Sequence, residues 1–412
     1  MFSGKVGVIL SLFTRLSSSY FFYFAILGLI SPYLSVFLDG KGFNSLEIGE
    51  IFAILTATKI IAPSLWAILA DKTGQQLFII RLGALLALLS FILLFWLNTY
   101  WPISFCLALF SLFWTAILPQ LEVLTLKSVR HSSKIYARIR LWGSIGFVAL
   151  AVFAGQVMEY YAQLGTANSF ISSFTDAFVL MGSVILLCLL LSTMAIKPQR
   201  VVNKVQKKAL AIKDKLLTSR FIIFFVAGVL LQISFGPYYG FFALFLRDLA
   251  YSGLAVGLLI SLGVVAEILV FIFASSFFKS FSLKTLLVFS LATTALRWFL
   301  VAYYAQSLML LAFTQLIHAA SFALFHSASM IFISGHFTSC QQSRGQGIYL
   351  GGVYGVGGAI GAYLAGILWL DGLGASTAFL TAGAAALLAA MLMMFLPKEE
   401  TRSFTFIKKP SH

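Results

Sequence analysis

The chain has 412 residues, of which 60% are hydrophobic and only 10% charged, and it carries a net charge of +15. With a mean hydropathy of +0.99 it lies far outside the range of soluble domains, which excludes a cytosolic enzyme or binding module and points to a polytopic membrane protein. The charge does not mark a nucleic-acid binder, because of where it falls. Apart from Lys41 and Arg247 on one side, and Lys59, Arg140 and Arg297 within apolar runs, the Lys and Arg residues gather at the termini and in alternate connections. That is the positive-inside distribution, and it predicts that both termini are cytoplasmic.

Twelve apolar runs are long enough to cross a bilayer as helices, near residues 20–38, 46–70, 77–97, 102–126, 138–160, 174–196, 220–246, 254–278, 283–304, 308–333, 346–369 and 374–396. The alternation of a β-barrel is absent, so an all-α fold is expected, each span satisfying its own backbone hydrogen bonds. No cleavable signal peptide is evident, since the first run is too long and lacks a small-residue cleavage site. The expected division is a six-helix half over 1–196, a basic cytoplasmic linker over 197–219, a second six-helix half over 220–397 and a polar tail over 398–412. The linker contains a predicted amphipathic stretch suited to anionic lipid. It lacks the interleaved aromatics that stack on bases.

The first span carries Tyr20, Tyr23 and a predicted break at Ser31-Pro32-Tyr33, and the seventh carries Gly236-Pro237-Tyr238-Tyr239-Gly240. Paired kinks can line a cavity, although Pro and Gly are also common in membrane helices. A shift of 208 residues lays the eighth span on the second, with Phe245-Leu246 on Phe37-Leu38, Val256-Gly257 on Ile48-Gly49 and Glu267 on Lys59. Each half thus repeats one helix, with a base at its midpoint in one copy and an acid in the other. Ionisable groups at that depth are expensive and suggest function at the interface of two related halves.

After the second span comes Asp71-Lys72-Thr73-Gly74. It resembles the Asp-Arg-x-Gly core of the loop between helices 2 and 3 in the major facilitator superfamily, with Ala67, Lys72 and Gln75 departing from the usual pattern. The resemblance implies a gating role for Asp71, Lys72 and Gly74. The fourth span holds Glu122, and the fifth opens with Arg138-Ile139-Arg140-Leu141-Trp142-Gly143-Ser144. Two consecutive antiparallel helices can bring Glu122 and Arg140 face to face, as part of a solute site or as a structural ion pair. Phe147 lies two turns beyond Arg140 on the same face, where its ring could pack on a ligand.

In the second half Glu267 is followed by Arg297 and then by His318 and His326. A carboxyl group in a dry cavity keeps its proton and an adjacent guanidinium drives it off, so this trio of residue types can load and release protons, with a histidine as relay. The acid and Arg of spans four and five are similar to the sugar-binding pair of lactose permease. The run from Tyr136 to Ser144, with Tyr238-Tyr239-Gly240-Phe241 and Leu262-Gly263-Val264-Val265-Ala266-Glu267, more closely resembles the phenylpropionate permease branch of the same superfamily. The resemblance runs from the first span to the twelfth.

It implies twelve helices in two pseudo-symmetric halves, alternating access, a monomer, a bacterial inner-membrane location, and coupling roles for Glu267, Arg297 and His318. Ser321 stands where lactose permease has a further acid, so Glu267 is expected to carry the proton alone, and His326 is read as a packed histidine. Three buried cations against two acids favour an anionic solute. Lys59 and Arg140 are candidates to grip a carboxylate, with Phe147, Tyr33, Tyr238 and Tyr239 around an aromatic body. The expectation is therefore a proton symporter of an aromatic monocarboxylate such as 3-phenylpropionate. A sugar or nucleoside symporter, a drug exporter or a non-transporting sensor would use the same fold. No metal cluster, nucleophile motif, cofactor loop or nucleotide-binding domain appears, and Cys106, Cys188 and Cys340 lack metal or disulfide spacing. The small residues from Gly351 to Gly361 read as a packing face.

Overall fold

The computed structural model describes residues 2–129, 132–164, 171–196, 212–338 and 340–397, with the side chains of residues 2–11, Asp71, Ser133, Ala274 and Ser275 outside that description. Among the described residues, twelve helices are long and apolar enough to cross a membrane. They are α1 Leu12–Gly40, α2 Ser45–Ala70, α3 Gln76–Phe95, α4 Tyr100–Ser128, α5 Lys134–Leu164, α6 Phe174–Met194, α7 Ser219–Asp248, α8 Gly253–Phe273, α9 Leu283–Tyr304, α10 Leu308–His336, α11 Gln342–Gly372 and α12 Ala375–Met394. Each corresponds to one predicted apolar run. The linker over 197–211 and the tail over 398–412 lie outside the described residues.

Local chemistry sets the helix ends. Asn44 forms a capping box with Glu47 at the start of α2, and Thr218, Ser252, Ser282 and Ser307 cap α7 to α10. Helix α2 continues past Lys72 to Thr73 and stops at Gly74, whose φ of 67° suits a residue without a Cβ. The Asp71-Lys72 segment is thus a last helical turn, where a tight turn was expected. Two basic side chains close the C-terminal ends. Arg81 on α3 donates to the carbonyls of Thr193 and Met194 in the last turn of α6 and of Ile196 just beyond it, and Lys284 on α9 donates to Leu396 after α12.

The predicted break at Ser31-Pro32-Tyr33 does not form: α1 stays helical through Pro32. Close packing on α5 accounts for this, because Gly28 lets the Phe147 backbone approach, while Gly143 and Gly146 accept Phe24 and Phe21. In α7 the break is real. One helix ends at Ser234 and the next begins at Gly236-Pro237. Helices α10 and α11 contain π-helical segments at Ala320–Leu324 and Leu350–Gly357.

Within the first half α1 packs on α5 and α6, α3 on α4 and α6, and α2 on α4; the second half repeats this with α7 on α11 and α12, α9 on α10 and α12, and α8 on α10. The halves meet through α1 with α7, α2 with α11 and α5 with α8. Glycines permit these contacts. A Cβ on Gly366 would sit 2.8 Å from the Ser45 carbonyl and 2.9 Å from Gly49 Cα, and one on Gly253 would overlap the Gly155 carbonyl.

Hydrogen bonds and ion pairs join the halves at the end remote from the linker. Arg247 Nη1 meets Asp39 Oδ2 at 2.6 Å and, within its own half, Arg247 Nη2 meets Asp248 Oδ1 at 3.1 Å. Asp371 accepts from Ser45 N at 2.8 Å and Ser45 Oγ at 2.6 Å, capping α2 from the other half. Glu159 accepts from Leu254 N at 3.3 Å and does the same for α8. These acids face helix N-termini, where the helix dipole favours negative charge. A Gly366→Val substitution should wedge α2 from α11. Spin labels at Thr99 and Leu373, measured by electron–electron double resonance, should then show a longer distance than in the unmodified chain.

Candidate functional site

The second half buries a chain of polar groups. Arg297, midway along α9, is fully buried. Its guanidinium lies 4.2 Å from the ring centroid of Tyr238 and 4.3 Å from that of Trp298, a placement in which the ring faces offset part of the lost hydration. Arg297 Nη1 is 2.8 Å from His318 Nδ1, and His318 Nε2 is 2.8 Å from Glu267 Oε1. A guanidinium only donates, so Nδ1 must accept, and the ring proton resides on Nε2 and is donated to Glu267. The arrangement therefore fixes a neutral His318 between a cation and a carboxylate. Gln315 Oε1 collects the Tyr238 hydroxyl at 3.0 Å and Arg297 Nη2 at 3.4 Å.

Why these groups converge follows from the helices. Gln315 and His318 are one turn apart on α10, and Ser234, Phe235 and Tyr238 share the face of α7 that meets Trp298 of α9. Trp298 Nε1 donates to Ser234 Oγ at 3.1 Å, and the Phe235 ring lies edge-on to Trp298. Beyond His318 the rings of Phe322 and His326 follow on α10 in near-parallel order. His326 Nδ1 bonds the Tyr354 hydroxyl of α11 at 3.1 Å.

The first half holds a separate, wetter cluster. Arg140 Nε is 3.8 Å from Glu122 Oε1, and both side chains are about one-third exposed, at 35% and 37%. Tyr136 donates to Glu122 at 3.4 Å, and the Arg140 guanidinium lies 4.0 Å from the Phe24 ring centroid. Phe147 is half-buried two turns further along α5. Lys59 differs from both groups. Ile48, Phe52, Leu55 and Ala62 are buried along one stripe of α2, opposite the outward Ile61, Leu65 and Ile68, yet Lys59 on that inner stripe is exposed. It therefore faces accessible space between helices, and among the described residues it has no ion pair.

The six charged or titratable residues expected in one cavity are thus arranged as two bonded clusters and a lone lysine. Tyr33 is fully buried and donates to the Ala151 carbonyl at 2.7 Å, so its hydroxyl is committed to joining α1 to α5 and is not free for a solute. Tyr238 belongs to the Arg297 network. Tyr239 is half-buried and stacks on Phe235. Lys72 is exposed, and the Asp71 side chain lies outside the described residues. Sequence reasoning missed Gln315, Trp298 and Tyr354. Gln315 had a legible signal, a polar residue one turn before His318 in an apolar span, whereas the partner of Trp298 lies on a helix distant in sequence and Tyr354 lies within a π-helical turn.

A model of the MFS_1 like family matches residues 13–381. The "Probable 3-phenylpropionic acid transporter" of Escherichia coli (strain K12) is 27% identical over 359 residues, covering 86% of this chain and 90% of that protein. The "Putative nucleoside transporter YegT" of the same organism is 24% identical over 349 residues, covering 81% and 79%. Among solved structures, nucleoside transporter NupG superposes with a TM-score of 0.78 at 18% identity, covering 93% of this chain and 98% of that one. That likeness shows the fold. With the family model spanning most of its length, the chain belongs to the MFS_1 like family, and it is a multi-pass membrane transporter of the major facilitator superfamily rather than an enzyme.

Proposed function

We propose that the protein is a proton-coupled symporter that imports an aromatic monocarboxylate, such as 3-phenylpropionate, across the bacterial inner membrane by alternating access. The observation that carries this reading is the buried sequence Arg297, His318, Glu267. Glu267 is the acid at its end, only 16% exposed, so it can gain or lose a proton while Arg297 and His318 hold its geometry. Lys59 supports the choice of an anion. Arg140 is matched by Glu122, and Arg297 reaches Glu267 through His318, so of these three mid-span cations Lys59 is the one without a carboxylate among the described residues. A solute carboxylate would complete it.

Charge balance then suggests how the two cargoes are linked. One proton on Glu267 and one monoanion on Lys59 add no net charge, so the loaded carrier crosses at no more electrostatic cost than the empty one. By the positive-inside bias, the bonded end remote from the linker is the periplasmic end. The 27% identical relative, a probable 3-phenylpropionic acid transporter, agrees with the carboxylate class. A nucleoside or sugar is the second reading, favoured by the one-third-exposed Glu122 and Arg140 pair, which could bind hydroxyls.

Labelled 3-phenylpropionate uptake into proteoliposomes tests the proposal. Accumulation should follow an inward proton gradient and be unchanged by a potassium diffusion potential, whereas potential-driven uptake would refute one-to-one coupling. Glu267→Gln should abolish gradient-driven accumulation but retain solute exchange. For Lys59→Met the KM should rise roughly 10- to 100-fold, the loss of a charged hydrogen bond of about 1.5–3 kcal/mol. If wild-type protein moves nucleoside or maltose and ignores 3-phenylpropionate, the substrate class is wrong.

A further inference from the structure

His326 does more than pack. Its Nδ1 is engaged by Tyr354, but its Nε2 has no hydrogen-bond partner among the described residues and is not among the buried, unpartnered side-chain atoms. An imidazole nitrogen left open in a half-buried ring faces accessible space. The side on which it opens can be read from α11. Val356, Ile360, Tyr363 and Ile367 form its outward stripe, and Tyr354 lies on the other side, between Gly351 and Gly355, which receive Ile60 of α2, and Gly357, which approaches Val229 of α7. Ile60 is the neighbour of Lys59. Tyr354 and Lys59 therefore flank one helix contact on the face turned from lipid.

Backbone geometry adds an independent indication. The π-helical turns of α10 and α11 meet at this pair, since His326 comes two residues after Ala320–Leu324 and Tyr354 lies within Leu350–Gly357. Such turns re-aim side chains and recur at functional sites. On the other flank Phe322 stands between the His318 and His326 rings, at 5.9 and 6.2 Å between centroids. The ring series connects the open nitrogen to the Glu267 cluster.

We propose that His326 is a solute-contacting, specificity-determining residue, and that Tyr354 positions it. A Tyr354 hydroxyl donating to Nδ1 leaves the proton on Nε2, which then donates to one oxygen of the solute carboxylate while Lys59 holds the other. The inference rests on the carboxylate reading given above. It places both oxygens of the anion between the halves and beside the ring series, so that a solute lacking two such acceptors is bound less well.

The test uses full-length protein in proteoliposomes. The thiol introduced by His326→Cys, located by mass spectrometry, should react with the anionic thiosulfonate ethylsulfonate reagent, and 3-phenylpropionate should slow that reaction. His326→Leu should raise the KM for 3-phenylpropionate at least about tenfold with little change in Vmax, and His326→Gln, which keeps a donor, should recover much of the loss. Tyr354→Phe should raise KM by a smaller factor and flatten the preference for 3-phenylpropionate over its amide. An unreactive thiol, or an unchanged KM in His326→Leu, overturns the assignment. Should wild-type protein take up no 3-phenylpropionate, the carboxylate reading has failed on its own account. Protection of the thiol by inosine or maltose would then retain His326 as a solute contact, and protection by none of the three would overturn it.

Discussion

A charge at membrane depth must be matched, and the second half is built around meeting that demand for Arg297. Removed wholly from solvent, this guanidinium would be prohibitive if left bare. It is sandwiched against Tyr238 and Trp298, bonded to His318, and within reach of Gln315. Each partner is held in turn. Trp298 is fixed by Ser234, Tyr238 by Gln315 and His318 by Glu267. Ser234 and Tyr238, four residues apart on either side of the interruption of α7 at Phe235, share the helix face that looks onto this site.

The first half meets the demand differently, and the contrast gives the molecule its polarity. Arg140 keeps about a third of its surface accessible and uses Glu122 and Phe24 as partners. Lys59 is tolerated through access to space between the helices. Two copies of one helical design therefore end in opposite electrostatic states, a mostly buried acid bonded to His318 and an accessible base without an ion pair among the described residues. The anion symport proposed above needs that inequality. If both halves were internally neutralised, an arriving ion would have nothing to complete.

How much was legible in the sequence depends on which physical quantity is asked for. Hydropathy and length located all twelve helices, since span length is set by bilayer thickness, and the repeat offset paired Lys59 with Glu267. The closeness of Glu122 to Arg140 and of Glu267 to Arg297 and His318 followed from helix adjacency. Side-chain azimuth was less accessible. Tyr33 and Tyr238 looked alike as aromatic residues beside prolines, yet one fastens α1 to α5 and the other lies under a guanidinium. Pro32 also looked like a break, but the neighbouring Gly28, Gly143 and Gly146 make a packing surface that keeps α1 helical. The π-helical turns have no simple periodic signature, so the meeting of His326 with Tyr354 could not be read from spacing.

Arg247 lies between Asp39 of the other half and Asp248 of its own. In the alternating-access cycle proposed above, separation of the halves at that end would not leave the guanidinium bare, because its second partner travels with it. Opening therefore exchanges a shared contact for a retained one instead of exposing a lone ion to a half-dry crevice. Such a clasp holds the closed form in register while adding little to the barrier for leaving it. Its contribution is to alignment on reclosure, and the direction of net transport is left to the cargo gradients.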